Sequence, residues 1–138
     1  MNPFADVETC PCGTGIAYGR CCRVLHAVGS AGIGTTAEAT MRARYSAYVV
    51  GDAAFLLATW HPTTRPAAID FSQDVDWHGL TIEHTDGGDG LSTTGSVQFR
   101  ARFRRGDALL ELHESSRFVR ESGRWFYVDG VDPDSDAA

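Results

Sequence analysis

Residues 97–104 read Val-Gln-Phe-Arg-Ala-Arg-Phe-Arg, in which apolar and polar side chains alternate without a break. Successive side chains of a β-strand point to opposite faces, so this stretch predicts a strand with one buried face and one arginine-rich face. Similar alternation occurs on both sides of it, with apolar residues at Leu80 and Ile82, at Leu110, Leu112 and Phe118, and over residues 125–128. Turn residues separate these runs, which together predict an antiparallel meander.

The sequence before the meander has helical periodicity. Thr35-x-x-Glu38 has the form of a capping box, and the apolar residues that follow recur at helical spacing. Gly51 is suited to end this helix in the left-handed conformation, and Asp52 is suited to cap a second helix. Helices followed by a meander predict an α+β fold, with the helices packed on one face of the sheet.

Composition and charge restrict the class of protein. The chain has 138 residues, of which 43% are hydrophobic and 22% charged, as in one soluble globular domain. Its 18 acidic and 12 basic residues give a net charge of -6, so nucleic acid is a poor candidate partner. No apolar run reaches the roughly 18 residues of a membrane span, and residues 1–8 carry no basic residue of a signal peptide. We therefore expect a cytoplasmic protein without membrane insertion.

The four cysteines of the chain are confined to residues 10–22, which read Cys-Pro-Cys-Gly-Thr-Gly-Ile-Ala-Tyr-Gly-Arg-Cys-Cys. In a cytoplasmic protein such a cluster indicates a metal site, a redox-active or disulfide-bonded pair, or unpaired thiols. Four thiolates form the ligand set of a structural zinc ion, and they leave no open position for catalysis. We therefore favour zinc bound by Cys10, Cys12, Cys21 and Cys22. Because residues 3–24 contain few large apolar side chains, metal binding would supply the folding energy they lack.

A second candidate site follows from polar residues on an apolar strand face. Glu114 and Ser116 are in phase with Phe118, so strand alternation directs both toward the core. A buried carboxylate requires a cation or hydrogen bonds, either in a structural network or as the general acid or base of a pocket between sheet and helices. The candidate pocket residues, in which the two basic side chains and the histidine are possible partners of the carboxylate, are Trp60, His61, Arg65, Glu114 and Arg117.

The cysteine spacing Cys-x-Cys-x8-Cys-Cys resembles the SEC-C motif, a zinc knuckle also found at the C-terminus of the SecA translocation motor. Many SEC-C motifs end in His, and Cys22 is a conservative departure from that pattern. Three blocks resemble the bacterial YchJ-like family, namely Met-Arg-Ala-Arg-Tyr-Ser-Ala-Tyr at 41–48, Thr-Trp-His-Pro-Thr-Thr-Arg-Pro at 59–66 and Leu-His-Glu-Ser-Ser-Arg-Phe at 112–118. The resemblance spans residues 8–131 and implies a nuclear-transport-factor-2-like fold, a cystatin-like cone in which a curved antiparallel sheet wraps around helices. It implies a fold and a metal, but no reaction.

These features predict the organisation of the chain and two alternative functions. The expected units are a SEC-C-like zinc knuckle at 1–25, a glycine-rich linker at 26–34, a nuclear-transport-factor-2-like domain at 35–131 and an acidic tail at 132–138. Because the SecA knuckle engages proteins, the resemblance implies a protein-interaction module with structural zinc. The alternative is a small-molecule binding protein or proton-transfer enzyme that uses a pocket in the cone. The sequence identifies no catalytic residue, and we expect a binding protein rather than an enzyme.

Overall fold

A computed structural model describes residues 6–32, 35–71 and 75–133. Two residues of the predicted linker and most of the predicted acidic tail lie outside these ranges. Helices come first along the described chain and strands follow, as the sequence predicts for an α+β fold. The elements are a 3-10 helix Tyr18–Arg20, α1 Cys22–Val28, α2 Ala37–Val50, α3 Ala53–Ala58, β1 Val75–Gly87, β2 Thr94–Arg105, β3 Ala108–Glu121 and β4 Arg124–Val131.

The four strands form one antiparallel meander in the order β1-β2-β3-β4, as predicted. The turn from β3 to β4 holds Ser122 and Gly123 at φ values of 54° and 75°, which suits the right-handed twist of the two strands. The pairing register shifts between Ile82 and His84 in β1 and between Arg117 and Phe118 in β3. Such irregularities bend a strand, and the sheet is accordingly curved.

The ends of the helices largely follow the predicted caps. Gly51 ends α2 in the left-handed conformation, and the Asp52 carboxylate accepts a hydrogen bond of 3.0 Å from the Phe55 N–H at the start of α3. The predicted capping box at Thr35 is wrong by one residue, because the hydroxyl oxygen of Thr36 accepts the bond from the Ala39 N–H instead. The helix therefore begins at Ala37.

Helix α2 is buried on two opposite sides, and this divides the core in two. One hydrophobic cluster joins Met41 and Tyr45 of α2 to the sheet, where Val97, Phe99 and Trp125 are buried. The second cluster joins other residues of α2 to α3 and to the cysteine segment; its buried members are Cys10, Cys12, Tyr18, Cys22, Ala43, Ala47, Phe55 and Leu56. The cysteine segment thus shares its core with the helices of the α+β domain.

The start of α2 is fixed to the β1–β2 connection by a close backbone contact. The Ala37 N–H donates to the Gly88 carbonyl at 2.9 Å. A Cβ atom added at Gly95 would lie 2.8 Å from the Gly88 backbone nitrogen and 3.2 Å from the Ala37 Cβ. Only glycine at position 95 allows these segments to approach so closely.

We predict that Gly95→Ala destabilises the protein by about 1–3 kcal/mol, because backbone atoms must move to admit the methyl group. Gly90→Ala is the matched control, since a Cβ there meets no described residue within 4 Å, and it should change the free energy of unfolding by less than about 0.5 kcal/mol. Urea denaturation measures both. Equal effects of the two substitutions would contradict the close contact.

Candidate functional site

A short hairpin places the first two cysteines. The Cys10 N–H donates to the Ile16 carbonyl at 2.9 Å, and Thr9 pairs with Ala17 in an antiparallel bridge. Gly13 and Gly15 lie between the two arms with φ values of 91° and 80°. Because side chains other than that of glycine are strained in this conformation, the glycines allow the chain to reverse tightly after Cys12.

The second pair of cysteines lies where the 3-10 helix meets α1. Cys21 follows the 3-10 helix and Cys22 is the first residue of α1, so the chain changes direction between the two helices. This brings all four cysteine sulfur atoms within 4.8 Å of one another, and the Sγ atoms of Cys12 and Cys21 are 3.6 Å apart. The cysteines at 10, 12 and 22 are buried, whereas Cys21 is partly exposed.

The spacing of the sulfur atoms fits a tetrahedral metal site. Four bonds of about 2.3 Å from sulfur to zinc would set the sulfur–sulfur distances near about 3.8 Å. The side-chain oxygen of Thr14 lies 3.2 Å from the Cys21 Sγ, so the more exposed sulfur also has a hydrogen-bonding neighbour. The four cysteines therefore lie close enough together to bind one metal ion.

The pKa values of the cysteines also favour a site that binds a cation. Hydrogen bonds from Cys12 and then Cys22 lower the pKa of the Cys10 thiol well below its usual range, because they stabilise its thiolate. The contact with Cys10 raises the pKa of Cys12 to about 11, and it raises the pKa of Cys22 as well, since each of these thiols keeps the proton that it donates. Sulfur atoms packed this closely need a cation before several of them can be thiolates at once.

Three residues of helix α2 contact the cysteine segment or α1. The Ser46 hydroxyl lies 3.5 Å from the Cys10 Sγ, and the Arg42 guanidinium donates to the Cys12 carbonyl at 2.7 Å. The His26 Nε2–H of α1 donates to the Ala43 carbonyl at 2.8 Å, while its Nδ1 accepts from the Tyr18 hydroxyl at 2.6 Å. These bonds fix the position of α1 and the hairpin against α2.

A cavity of about 280 Å³, here called the chamber, lies between α2 and the concave face of the sheet. Its volume is slightly below the roughly 300 Å³ at which small-molecule sites usually begin. Six of its lining residues are aromatic, and a serine, an arginine and a glutamate also line it. The lining residues with aromatic rings are Tyr45, Tyr48, Trp60, Trp77, Phe99 and Tyr127.

Arg44 of α2 is the buried cation of the chamber. Its side chain is only 3% exposed, and its Nη1 donates to the Leu56 carbonyl at 2.9 Å and to the Thr59 hydroxyl at 2.8 Å. The guanidinium carbon lies 4.8 Å from the ring centre of Trp60 and 4.6 Å from that of Tyr127, within the range of cation–π attraction. Burial lowers the pKa of Arg44 to about 10, which leaves it protonated at neutral pH.

Glu114 of β3 supplies the opposite charge. One of its oxygens accepts from the Ser116 hydroxyl at 2.6 Å and from the Tyr127 hydroxyl at 3.4 Å. The carboxyl group packs against Gly130, where a Cβ atom would overlap it. Burial, together with the neighbouring Glu114, raises the pKa of Tyr127, so this hydroxyl stays a neutral donor.

Comparison with protein families matches both parts of the chain. Residues 36–130 match the family model described as the YchJ middle NTF2-like domain, and residues 8–23 match the SEC-C motif. The chain belongs to the YchJ-like family. A UPF0225 protein of Streptomyces coelicolor is 50% identical over 121 residues, covering 88% of this chain and 93% of the relative. Another, from Chromobacterium violaceum, is 45% identical over 125 residues, covering 88% of this chain and 91% of that protein.

Two solved structures share the fold of this YchJ-like chain. The solution structure of a SEC-C motif containing protein from Rhodopseudomonas palustris has a TM-score of 0.79 and 31% identity, covering 92% of this chain and all of that one. The crystal structure of a SEC-C motif containing protein from Psychrobacter arcticus has a TM-score of 0.71 and 27% identity. The match covers 96% of this chain and 85% of that one. The predicted fold, in which helices pack on a curved antiparallel sheet, is thereby confirmed.

The structure brings together some of the predicted pocket residues of the YchJ-like domain and separates others. Trp60 and Glu114 line the chamber. His61 instead lies 3.0 Å from the Glu121 carboxylate, and Arg117 donates to Asp129 through two bonds of 2.6 Å. The prediction that His61 or Arg117 partners Glu114 is therefore wrong, because each has a nearer carboxylate.

Arg65, the fifth predicted pocket residue, is exposed and is not part of the chamber wall. Two residues that sequence reasoning missed are Arg44 and His26. Arg44 follows Met41 by three residues and precedes Tyr48 by four, so helical spacing places an arginine within an apolar stripe. That interruption is the signal that identifies Arg44 as buried.

His26 had no comparable signal, because it lies where small residues and glycine suggest a linker. Residues 26–28 continue α1, so the predicted boundary after residue 25 does not coincide with a break in secondary structure. In the described parts of the chain, no helix has both the length and the apolar character to cross a membrane.

Proposed function

We propose that the YchJ-like chain binds a structural zinc ion through Cys10, Cys12, Cys21 and Cys22. The observation that carries this proposal is the approach of all four sulfur atoms to within 4.8 Å. Thiolates are the preferred ligands of zinc, and four of them complete its coordination. The role of such an ion is structural rather than catalytic. Zinc binding by these cysteines requires reduced thiols, which suits the expected cytoplasmic location.

Zinc would stabilise a segment that has few apolar side chains of its own. Ile16 and Val24 are 47% and 52% exposed, and Tyr18 is the large residue of the segment that is fully buried. Zinc binding contributes an apparent 10–16 kcal/mol in small zinc peptides at neutral pH, on the order of the stability of a whole domain. In this proposal residues 1–25 are the knuckle that zinc holds on the domain at 35–131.

Removal of zinc should loosen the knuckle before the sheet. We predict that a chelator raises amide hydrogen exchange over residues 8–28 by about tenfold or more, while the core strands β2 and β3 change less. Mass spectrometry of the exchanged peptides gives the measurement, and elemental analysis gives the zinc content.

Two variants control this experiment. Cys12→Ser should lose zinc and show the fast exchange without a chelator. Ser46→Ala removes the hydroxyl beside Cys10 but keeps the four thiols, and it should retain zinc. Unchanged exchange in residues 8–28 after confirmed metal loss would contradict the structural role.

We also propose that the knuckle, together with the rest of α1, docks another protein, as the resemblance of the knuckle to the SecA motif implies. Support comes from apolar side chains left exposed on α1. Val24 and Val28 are 52% and 70% exposed, and their spacing of four residues places them on one face of the helix. Val7, which is 87% exposed, adds apolar surface to the same segment.

The double variant Val24→Ser/Val28→Ser should lose bound partners in capture experiments from lysate, because it removes this apolar face while leaving every cysteine in place. Leu91→Ser is the matched control, since Leu91 is 93% exposed on the β1–β2 connection. Wild-type and control proteins should retain the same partners. Equal loss in control and double variant, or no loss in either, would contradict docking through α1.

A second candidate function is small-molecule binding in the chamber, which retains two of the pocket residues predicted from sequence, Trp60 and Glu114. The specific observation in its favour is a cavity that contains both a buried cation and a carboxylate. Proton transfer by Glu114 would be one use of such a site. The chemistry of the ligand follows from the charges on the chamber wall.

A further inference from the structure

The two charges in the chamber are held apart from each other. Arg44 and Glu114 attract each other electrostatically, yet they form no direct ion pair among the described residues. Both hydrogen bonds of Arg44 come from Nη1, so within the described chain Nε and Nη2 have no acceptor. A molecule in the chamber could therefore contact a donor on one side and a carboxylate on the other.

The charge balance of the chamber favours a ligand without net charge. Arg44 and Glu114 together carry no net charge, and the rest of the wall is neutral. A ligand with a net charge would leave one unbalanced charge in a largely apolar site, which is costly. The ligand should instead place an acceptor at the arginine and a donor at the glutamate.

A third polar group near the chamber is a buried donor. The indole nitrogen of Trp60 is buried, and no described residue accepts a hydrogen bond from it. Buried donors are usually satisfied, so an unpaired one at the wall of a cavity calls for an explanation. An acceptor atom bound near Arg44 would lie close to the Trp60 ring, which stacks with the same guanidinium.

We propose that the chamber binds a small, uncharged aromatic molecule that carries a carboxamide or lactam group. The carbonyl oxygen would accept from Arg44, the amide N–H would donate to Glu114, and the flat ring would pack among the aromatic side chains. This rests on the second candidate function and does not depend on the metal. A volume of about 280 Å³ equals that of about nine water molecules, which limits the ligand to a molecule of roughly that size.

The chamber shares part of its wall with a groove beside it. Tyr48, Trp77 and Leu112 line both the chamber and a groove of about 530 Å³ outside it. Leu112 is 40% exposed, and Phe71 in the outer groove is 41% exposed. Apolar side chains thus continue from the surface to the chamber, which favours entry of an aromatic molecule.

Benzamide, benzoate and benzylammonium test the proposal, because they have nearly the same shape and differ in charge. Nitrogen-15 NMR can follow the three tryptophan indole N–H signals during each titration. Trp60 and Trp77 line the chamber, whereas the Trp125 indole donates to the Thr35 carbonyl and serves as an internal reference. Benzamide should shift the Trp60 and Trp77 signals with a dissociation constant of about 1 mM, and the charged probes should bind at least about tenfold more weakly.

The variant Glu114→Gln should change which of the three probes the chamber binds most tightly. It leaves Arg44 as an unbalanced cation, so benzoate should become the tightest probe. Glu121→Gln is the matched control, because that carboxylate contacts His61 outside the chamber wall, and it should leave the order of the probes unchanged.

The possible results distinguish failure of the proposed ligand class from failure of the binding function itself. If a charged probe binds the wild type as tightly as benzamide, the amide class is wrong while binding in the chamber stands. If no probe moves the Trp60 and Trp77 signals, or if each probe moves Trp125 equally, both the amide class and the binding function are overturned.

Discussion

Helix α2 is buried on two opposite sides, and the rest of the molecule is arranged around that constraint. A helix buried on two opposite sides needs side chains that fit two different neighbours. On one side Ala43 and Ala47 are small enough for α1 and the cysteine hairpin to approach closely. On the other side Met41 and Tyr45 pack against the sheet. A change in the position of α2 would therefore disturb both candidate sites at once.

The contacts of α2 with the knuckle and with α1 would let a metal ion bound by the four cysteines affect the whole chain. Backbone carbonyls of Cys12 and Ala43 accept hydrogen bonds across this interface, from Arg42 and His26 respectively. Buried hydrogen bonds of this kind require both partners to be held in place. In our account zinc fixes the hairpin and the start of α1, and the interface transmits that order to α2. The chamber on the other side needs the same helix, but none of its chemistry involves the metal.

The sequence was sufficient wherever local chemistry determines the structure. Alternation over residues 97–104 predicted a buried face that contains Val97 and Phe99, and the same reasoning turned Glu114 toward the concave face. Gly51 and Asp52 marked the junction of α2 and α3 because their conformational preferences act within one turn of chain. The cysteine cluster could be predicted because its four members are close in sequence.

Partners that are distant in sequence could not be predicted in this way. His61 contacts Glu121, which is 60 residues away in sequence. The way in which the chain folds back beside β4 determines this pairing. Residue type gives no indication of which of several carboxylates an arginine will reach, and Arg117 pairs with Asp129 on the neighbouring strand. Arg44 interrupts an apolar helical stripe, but its stacking between Trp60 and Tyr127 depends on the packing of α2, α3 and β4.

X-ray absorption at the zinc edge tests the central claim most directly, on reduced protein purified without added metal. Our account predicts one zinc ion per chain with four sulfur neighbours at about 2.3 Å. Substoichiometric zinc, or a first shell in which nitrogen or oxygen replaces any of the four sulfur atoms, would contradict it.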